Sequence, residues 1–214
     1  MSILKRMLEG QIPLNVYLAQ LKDDINLQTE LRRLVPPDAR KNPTHPLWDQ
    51  LAYTAFETAD FDLFRVLQKQ CRMDGSLGDN LSIFCLIATV YSCLDPSVQL
   101  TNQYEDAFEL LLDISGERFG GPEVDGLIDE LIREVLAACK TKKAQRQMAK
   151  EKMNTLFHVT DRRLPQWLHG PEWPMGQNSP MRYVSTTKEK NKSCRMHLFQ
   201  DVDTGEQRQL VEYD

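Results

Sequence analysis

The spacing of apolar residues changes near Asn154, and this change constrains the fold more than any other feature of the sequence. Before that point, apolar side chains recur at intervals of three and four residues, which is typical of amphipathic helices. A connector rich in tryptophan, proline and glycine follows, and short runs typical of strands complete the chain. We therefore expect an α+β protein. It should comprise a mainly helical, irregular array over residues 1–158, a connector over 159–180 and a three-stranded antiparallel sheet over 181–214, packed on the helical body.

Capping and stop signals divide the helical part into seven or so helices. We expect helices at residues 3–8, from 13 onward, and at 27–34, 46–58, 61–72, 81–94, 104–114 and 123–157. Residues 81–94 are apolar on almost every face and should form the central buried helix. Residues 38–46 and 74–79 are predicted to be loops, since they are polar or rich in glycine and proline.

The strands are expected at residues 181–186, 195–202 and 206–213. Asp203-Thr204-Gly205 predicts a three-residue hairpin loop, in which Gly205 takes the left-handed conformation. In this register four pairs of residues face each other: Leu198 and Leu210, Phe199 and Gln209, His197 and Val211, and Arg195 and Tyr213. Both hairpin faces are then partly apolar. One face should pack on the helices, and the other could be covered by the connector or bind a ligand.

The composition excludes several classes of protein. With 41% hydrophobic residues the chain can form a core, and it lacks a run of about 18 apolar residues that could cross a membrane. The net charge of −5 does not provide the basic surface of a nucleic-acid-binding protein. The five cysteines are odd in number, and three of them lie among apolar neighbours inside predicted helices. They indicate a reducing cytoplasm rather than a disulfide framework.

No group of residues has the spacing of a known catalytic motif or metal site, so we expect no cofactor and no metal. Asp201, Asp203, Gly205 and Glu212 partly match a calcium loop. The sixth position of such a loop is glycine, whereas this chain has Glu206 there, so a hairpin turn explains the segment better.

Charge is strongly segregated along the chain. Ten acidic residues lie between positions 102 and 135 against two arginines, and a mainly basic segment follows at 140–152. A solvated helical surface is one interpretation, and an acidic surface that binds a basic protein is the other. The electrostatic contacts on the second interpretation are Glu105, Asp106, Glu109, Asp129, Glu130 and Glu134, with Trp173 and Tyr213 as apolar anchors.

The tryptophan-rich connector also allows two interpretations. It could be a strap that fixes the hairpin to the helices, or an exposed aromatic surface for a partner. The connector also suggests an enzyme as an alternative, with a cryptic site at the junction of helices and sheet. The residues of that site would be His169, Glu172, Arg195 and His197.

Two segments resemble known families. The run Thr44-His45-Pro46-Leu47-Trp48, with Leu51-Ala52 and Val66-Leu67, resembles a degenerate ankyrin-type helix pair and implies an irregular helical array. Residues 173–184 are similar in style to C-terminal β-modules of small bacterial proteins, some from toxin–immunity neighbourhoods. That resemblance implies a non-catalytic inhibitor that masks a toxin.

From the sequence we expect a cytoplasmic, non-catalytic protein-binding module that acts through its acidic helical surface on a basic protein partner. An immunity-type inhibitor is one form of it. Nucleic acid and membrane are not expected partners. The alternatives are the cryptic enzyme and a homo-oligomeric structural protein in which the hairpin edge pairs across a two-fold axis. A monomer and a homodimer are both compatible with the sequence.

Overall fold

The computed structural model describes residues 2–42, 44–51, 61–70, 76–116, 118–161, 163–188 and 194–213. The chain forms two compact units, Met1–Phe108 and Glu109–Asp214. The α+β class is confirmed: a helical array is followed by a C-terminal, three-stranded antiparallel sheet.

The described part of the first unit contains seven helices, and an eighth spans the boundary between the units. They are α1 (Ile3–Leu8), α2 (Leu14–Asp23), α3 (Ile25–Arg33), α4 (Pro37–Lys41), α5 (Pro46–Gln50), α6 (Leu63–Gln70), α7 (Leu77–Leu94) and α8 (Gln103–Ser115). The predicted helices over 46–58 and 61–72 extend into 52–60 and 71–75, which lie outside the described residues.

Short polar side chains set the starts of several helices in the first unit. The side chains of Ser2, Asp24 and Ser76 accept hydrogen bonds from backbone N–H groups in the first turns of α1, α3 and α7. Gly10 follows α1 with φ of +75°, and a Cβ atom there would lie 2.9 Å from Thr101 Oγ1. Glycine is therefore required at this close approach.

Two predicted loops of the first unit are partly helical. α4 covers the first part of the predicted loop at 38–46, because Pro37 occupies its first turn, where a missing N–H costs nothing. α7 begins at Leu77 rather than residue 81, because Ser76 caps it within the predicted loop at 74–79. The core of this unit includes Leu4, Tyr17, Leu47, Trp48, Leu67 and Ile87.

The second unit combines two helices with the sheet. Its elements are α9 (Asp125–Ala138), α10 (Lys142–Leu156), β1 (Arg182–Lys188), β2 (Cys194–Gln200) and β3 (Gln207–Tyr213). The prediction of one long helix over 123–157 is wrong, because the chain leaves the helical conformation at Cys139, where φ is −118° and ψ is 130°. Thr141 then caps α10 through its hydroxyl, and the Gln145 side chain donates to the carbonyl oxygen of Cys139.

The sheet has the strand order β1-β2-β3, with both neighbouring pairs antiparallel. The predicted register of the hairpin between β2 and β3 is wrong by one residue. His197 pairs with Leu210, Leu198 with Gln209, Phe199 with Arg208, and Arg195 with Glu212. The cause is the loop: the N–H of Asp201 donates to the carbonyl oxygen of Glu206, which leaves four residues in the turn rather than three.

This shift changes which residues share a face of the sheet. Paired residues of antiparallel strands lie on the same side, so Leu210 and Glu212 share the face of His197 and Phe199. Val211 and Tyr213 lie on the opposite face with Met196 and Leu198. The sequence prediction had placed these β3 residues on the wrong sides.

An aromatic cluster forms the core of the second unit. Trp173 is 1% exposed, and its ring contacts the rings of Phe119, Phe157 and Phe199 at centroid distances of 5.4, 4.7 and 5.4 Å. The Trp173 indole N–H donates to the carbonyl oxygen of Met181 at 2.7 Å. The connector is therefore part of the core of this unit, and the strap interpretation is confirmed for Trp173.

Replacement of Trp173 by alanine should remove these ring contacts and leave a cavity. We expect Trp173→Ala to lower the free energy of unfolding by about 3–5 kcal/mol, measured by urea denaturation. If that variant does not fold, Trp173→Phe gives the graded comparison. Tyr213→Ala, at a side chain that is 68% exposed, serves as the control and should change the value by about 0.5 kcal/mol or less. Equal losses at both positions would contradict the assigned core.

Candidate functional site

Three residues of the acidic segment, Glu109, Asp113 and Glu134, pair with the chain's own basic helix. Lys142 and Arg146 of α10 bind Glu109 and Asp113 of α8 at 3.2 and 2.7 Å. The two basic residues are four positions apart on α10, and the two acidic residues are four positions apart on α8. The two ion pairs therefore occupy successive turns of both helices. Lys152, two turns further along α10, lies 2.8 Å from a carboxylate oxygen of Glu134.

This pairing removes part of the predicted acidic surface. Glu109 and Glu134 are neutralised within the chain. Asp129 is 8% exposed and lies 4.0 Å from Arg133, so it is out of reach of a partner. Of the remaining predicted contacts, Glu105 and Glu130 are exposed.

The other predicted contacts also differ in exposure. Asp106 is half-buried. Trp173 is in the core and cannot serve as an anchor for a partner in this fold. Tyr213 is 68% exposed and remains available as an apolar anchor.

The inner face of the sheet contains a chain of hydrogen-bonded polar groups. His197 is fully buried, and its Nε2 lies 2.7 Å from Glu212 Oε2. Its Nδ1 lies 2.8 Å from Thr186 Oγ1, which in turn contacts the hydroxyl of Tyr183 at 2.7 Å. Trp167 covers this group, with its ring centroid 4.8 Å from that of His197.

Glu212 also holds the connector. Its carboxylate accepts hydrogen bonds from the backbone N–H groups of Leu168, at 3.1 Å, and His169, at 3.2 Å. Burial raises the pKa of Glu212, but the bonds from His197 and from the two backbone N–H groups outweigh it and leave the pKa below the ordinary value. The ionised carboxylate therefore fixes the strap against the sheet.

The pairing of Glu212 with His197 differs from the sequence prediction. The predicted register placed the two residues on opposite faces of the hairpin, whereas the observed register places them on the same face. The loop length was the signal that would have revealed the pair. Counting four loop residues instead of three shifts β3 by one position relative to β2.

The residues of the cryptic enzyme site surround the connector but bind different groups. His169 Nε2 contacts the carbonyl oxygen of Tyr213 at 2.8 Å, and the Arg195 guanidinium donates to the carbonyl oxygens of Gln166 and Trp167. Glu172 is exposed. Within the described residues, no hydrogen bond joins any two of the four side chains that this alternative requires.

The residues that partly match a calcium loop form a turn. Asp201 accepts hydrogen bonds from the N–H groups of Asp203, at 2.8 Å, and Gln177, at 2.7 Å, which hold the pKa of its carboxylate low. Gly205 has φ of +76°, as expected of the residue that ends the loop. Groups of three or more histidine, cysteine, aspartate or glutamate side chains suited to a metal ion are absent from the described parts of the chain.

The outer face of the sheet exposes apolar side chains. Tyr213 is 68% and Val211 41% exposed, and they lie beside the half-buried side chains of Met196 and Leu198. These four residues are called the outer patch below. An exposed group of large apolar side chains is typical of a surface that another molecule covers.

The patch borders the free edge of β3. In an antiparallel pair, the backbone groups of successive residues point alternately toward the neighbouring strand and away from it. The N–H of Asp201 donates to the carbonyl oxygen of Glu206, directly before β3, so the N–H and C=O groups of Gln207, Gln209 and Val211 point away from β2. Among the described residues, these outward groups have no backbone partner beyond the sheet. The free edge ends at Tyr213, because its carbonyl oxygen accepts a hydrogen bond from His169 Nε2.

The comparisons with known proteins do not assign this site. No family model matches the chain, and no curated protein and no solved structure is similar to it.

One described helix, α7, is long and apolar enough to cross a membrane by length and composition. Its fully buried side chains include Ile83, Ile87 and Val90, which belong to the core of the first unit. The share of α7 that is buried is 39%, so the prediction of a central buried helix holds for one face of α7 and not for the face that exposes Cys85 and Cys93.

Replacement of Glu212 by glutamine should test the strap contact. We expect Glu212→Gln to lower the free energy of unfolding at pH 7 by about 1–3 kcal/mol, because a charged acceptor of three hydrogen-bonded groups is lost. The folded-state pKa of Glu212 is lowered from 4.5, so its contribution is present above that pH and is lost as the pH falls through the folded value.

The difference between wild type and Glu212→Gln should therefore shrink below about pH 4.5, measured by urea denaturation across pH. Glu206→Gln, at an exposed carboxylate in the same hairpin, is the matched control and should show little difference at any pH. A difference that persists unchanged to pH 3 would contradict an ionised Glu212 in the strap contact.

Proposed function

We propose that this chain is a cytoplasmic, non-catalytic protein-binding module, and that its partner is a protein segment in extended conformation that pairs with β3. The free edge of β3 carries this proposal. Outward N–H and C=O groups at Gln207, Gln209 and Val211 offer main-chain hydrogen bonds to a fourth strand. The adjacent outer patch offers apolar contacts to alternate side chains of that strand.

The strap supports the use of β3 as a docking edge. An added strand gains most when the template is already ordered, because ordering costs free energy on binding. Glu212, on β3 itself, is tied to His197 and to the connector, so the position of the strand is fixed from its inner face. The outer face and the edge remain accessible.

We also propose that acidic side chains contribute to binding, but with fewer residues than the sequence predicts. Glu105 and Glu130 are the exposed predicted contacts in the described residues for which the structure shows no ion pair. A basic partner would be attracted by the net charge of −5, and Glu105 in the first unit and Glu130 in the second would each serve for orientation rather than for most of the affinity. An immunity-type inhibitor of a toxin is the specific form of the proposal, and it rests on the sequence resemblance of residues 173–184.

A test of the edge uses one position and two substitutions. Gln209→Pro removes an outward N–H that the β2–β3 ladder does not use, so the hairpin should persist while pairing with a fourth strand is blocked. Gln209→Ala retains that N–H. In affinity purification from the native lysate, a partner bound by wild type and Gln209→Ala should be lost from Gln209→Pro.

The same purification separates the two surfaces. At low salt, the double variant Glu105→Gln/Glu130→Gln should retain less partner than wild type does. At about 0.5 M salt the two should retain equal amounts, because salt screens the exposed charges of the wild type. Circular dichroism and urea denaturation should show that each variant folds. Partner retention that is identical in Gln209→Pro and Gln209→Ala would contradict the proposed edge.

A homodimer is the second candidate, because the same open edge could pair with β3 of another copy across a two-fold axis. Sedimentation velocity distinguishes it. A dimer that forms at high protein concentration and dissociates in Gln209→Pro, but not in Gln209→Ala, would establish self-pairing. A monomer at all concentrations excludes it.

A further inference from the structure

A cavity of about 830 Å³ in the second unit has the size of a small-molecule site. It is bounded by the end of α8, the turn after it, the second half of α10 and the start of the connector. Its lining residues are Asp113, Ile114, Arg118, Phe119, Arg146, Lys150, Met153, Asn154, Val159, Thr160 and Leu164. The outer patch and the β3 edge are not part of it.

The lining is divided into an apolar floor and a cationic rim. Phe119 is 7% and Met153 1% exposed, so their side chains belong to the core and present only a small part of their surface to the cavity. Ile114, Val159 and Leu164 extend this floor and are half-buried. An apolar body in the cavity would therefore contact apolar side chains at the floor.

The rim has more positive than negative charge. Among the lining residues that the structure describes, Arg118, Arg146 and Lys150 supply three cations, whereas Asp113 is the one acidic side chain. Asp113 is paired with Arg146 at 2.7 Å. Arg118 and Lys150 form no ion pair in the described part of the chain, so two positive charges are left for a ligand.

The backbone that presents Arg118 is held in place. Its N–H donates to the carbonyl oxygen of Ser115 at 3.0 Å, and its own carbonyl oxygen accepts from the Trp167 indole at 3.1 Å. Lys150 lies one helical turn from Arg146 on α10, and Met153 and Asn154 continue the same face. The rim and the floor are thus positioned by fixed elements before a ligand binds.

We infer that this cavity binds a small organic anion with an apolar body, such as an aromatic or branched-chain carboxylate. The anionic group would lie between Arg118 and Lys150, with Asn154 and Thr160 as neutral polar neighbours. The ring or branched alkyl group would cover Phe119 and Met153. Charge complementarity decides the class of ligand, because a neutral molecule of the same shape would leave both cations without a counter-charge.

The test uses two probes with the same skeleton. 8-Anilinonaphthalene-1-sulfonate carries a sulfonate, whereas N-phenyl-1-naphthylamine has the same rings without the charge. We expect the folded full chain to bind one sulfonate probe per molecule at least about tenfold more tightly than the neutral probe, measured by fluorescence titration. Binding of the sulfonate probe should weaken as NaCl is raised from about 0.05 to about 0.5 M, because exposed charges are screened.

Variants and competitors locate the site. The double variant Arg118→Gln/Lys150→Gln should lower the affinity for the sulfonate probe by about tenfold or more and leave the neutral probe unchanged. Lys143→Gln removes a charge from α10 at an exposed residue outside the cavity, and its affinity for either probe should equal that of wild type. 1-Naphthoate should displace the sulfonate probe, whereas acetate at the same concentration should not.

Three results would overturn the inference: equal binding of the two probes, unchanged binding in the double variant, or equal displacement by acetate and naphthoate. Cooperative urea unfolding of every variant must accompany the titrations, since the sulfonate probe also binds partly folded chains. A variant that is not folded is replaced by Lys150→Gln alone, for which the affinity should fall by about threefold or more.

Discussion

The hydrogen-bonded pair of His197 and Glu212 is the interaction on which the second unit depends. It lies on the inner face of the sheet under Trp167, and the same carboxylate accepts the N–H groups of Leu168 and His169. One acidic side chain thus joins β2, β3 and the connector. Without it, two backbone donors and a buried imidazole would lose their acceptor, and a buried group without a partner costs free energy. The connector then positions Trp173 among Phe119, Phe157 and Phe199.

The segregated charges have a structural consequence within the chain. The acidic residues of α8 and α9 meet the basic residues of α10, in pairs such as Glu109–Lys142 and Glu134–Lys152. These pairs are exposed and contribute little stability individually. Their effect is on specificity, because a displaced α10 would place its basic side chains away from these carboxylates. The described pairs of α10 include Arg146 and Lys152 but not Lys150, and this leaves a positive rim beside an apolar floor.

The sequence predicts the class and order of elements well, since helical and strand periodicities differ in the two parts of the chain. The sequence prediction fails where a single residue ends a helix or sets the register of a hairpin. The helix predicted over 123–157 is broken at Cys139 because Thr141 caps a new helix and Gln145 closes the old one, which periodicity does not detect. The hairpin register depends on whether the turn has three or four residues, and that difference moved Glu212 to the wrong face. The predicted contacts rest on charge for Asp129 and on aromatic character for Trp173, and both residues are buried, because composition does not report which face of an element is covered.

The two edges of the sheet differ in how they are protected, and this difference favours β3 over β1 as the proposed docking edge. β1 carries an irregularity between Tyr183 and Ser185, and bulges of this kind hinder the addition of a strand. β3 pairs without interruption from Gln207 to Tyr213. Charged side chains usually protect such an edge, but Arg208 is engaged by Glu123 and Glu212 by His197, both within the unit. These charges of β3 are therefore used within the unit, whereas its regular outward groups and apolar outer patch stay exposed, as the proposed docking requires.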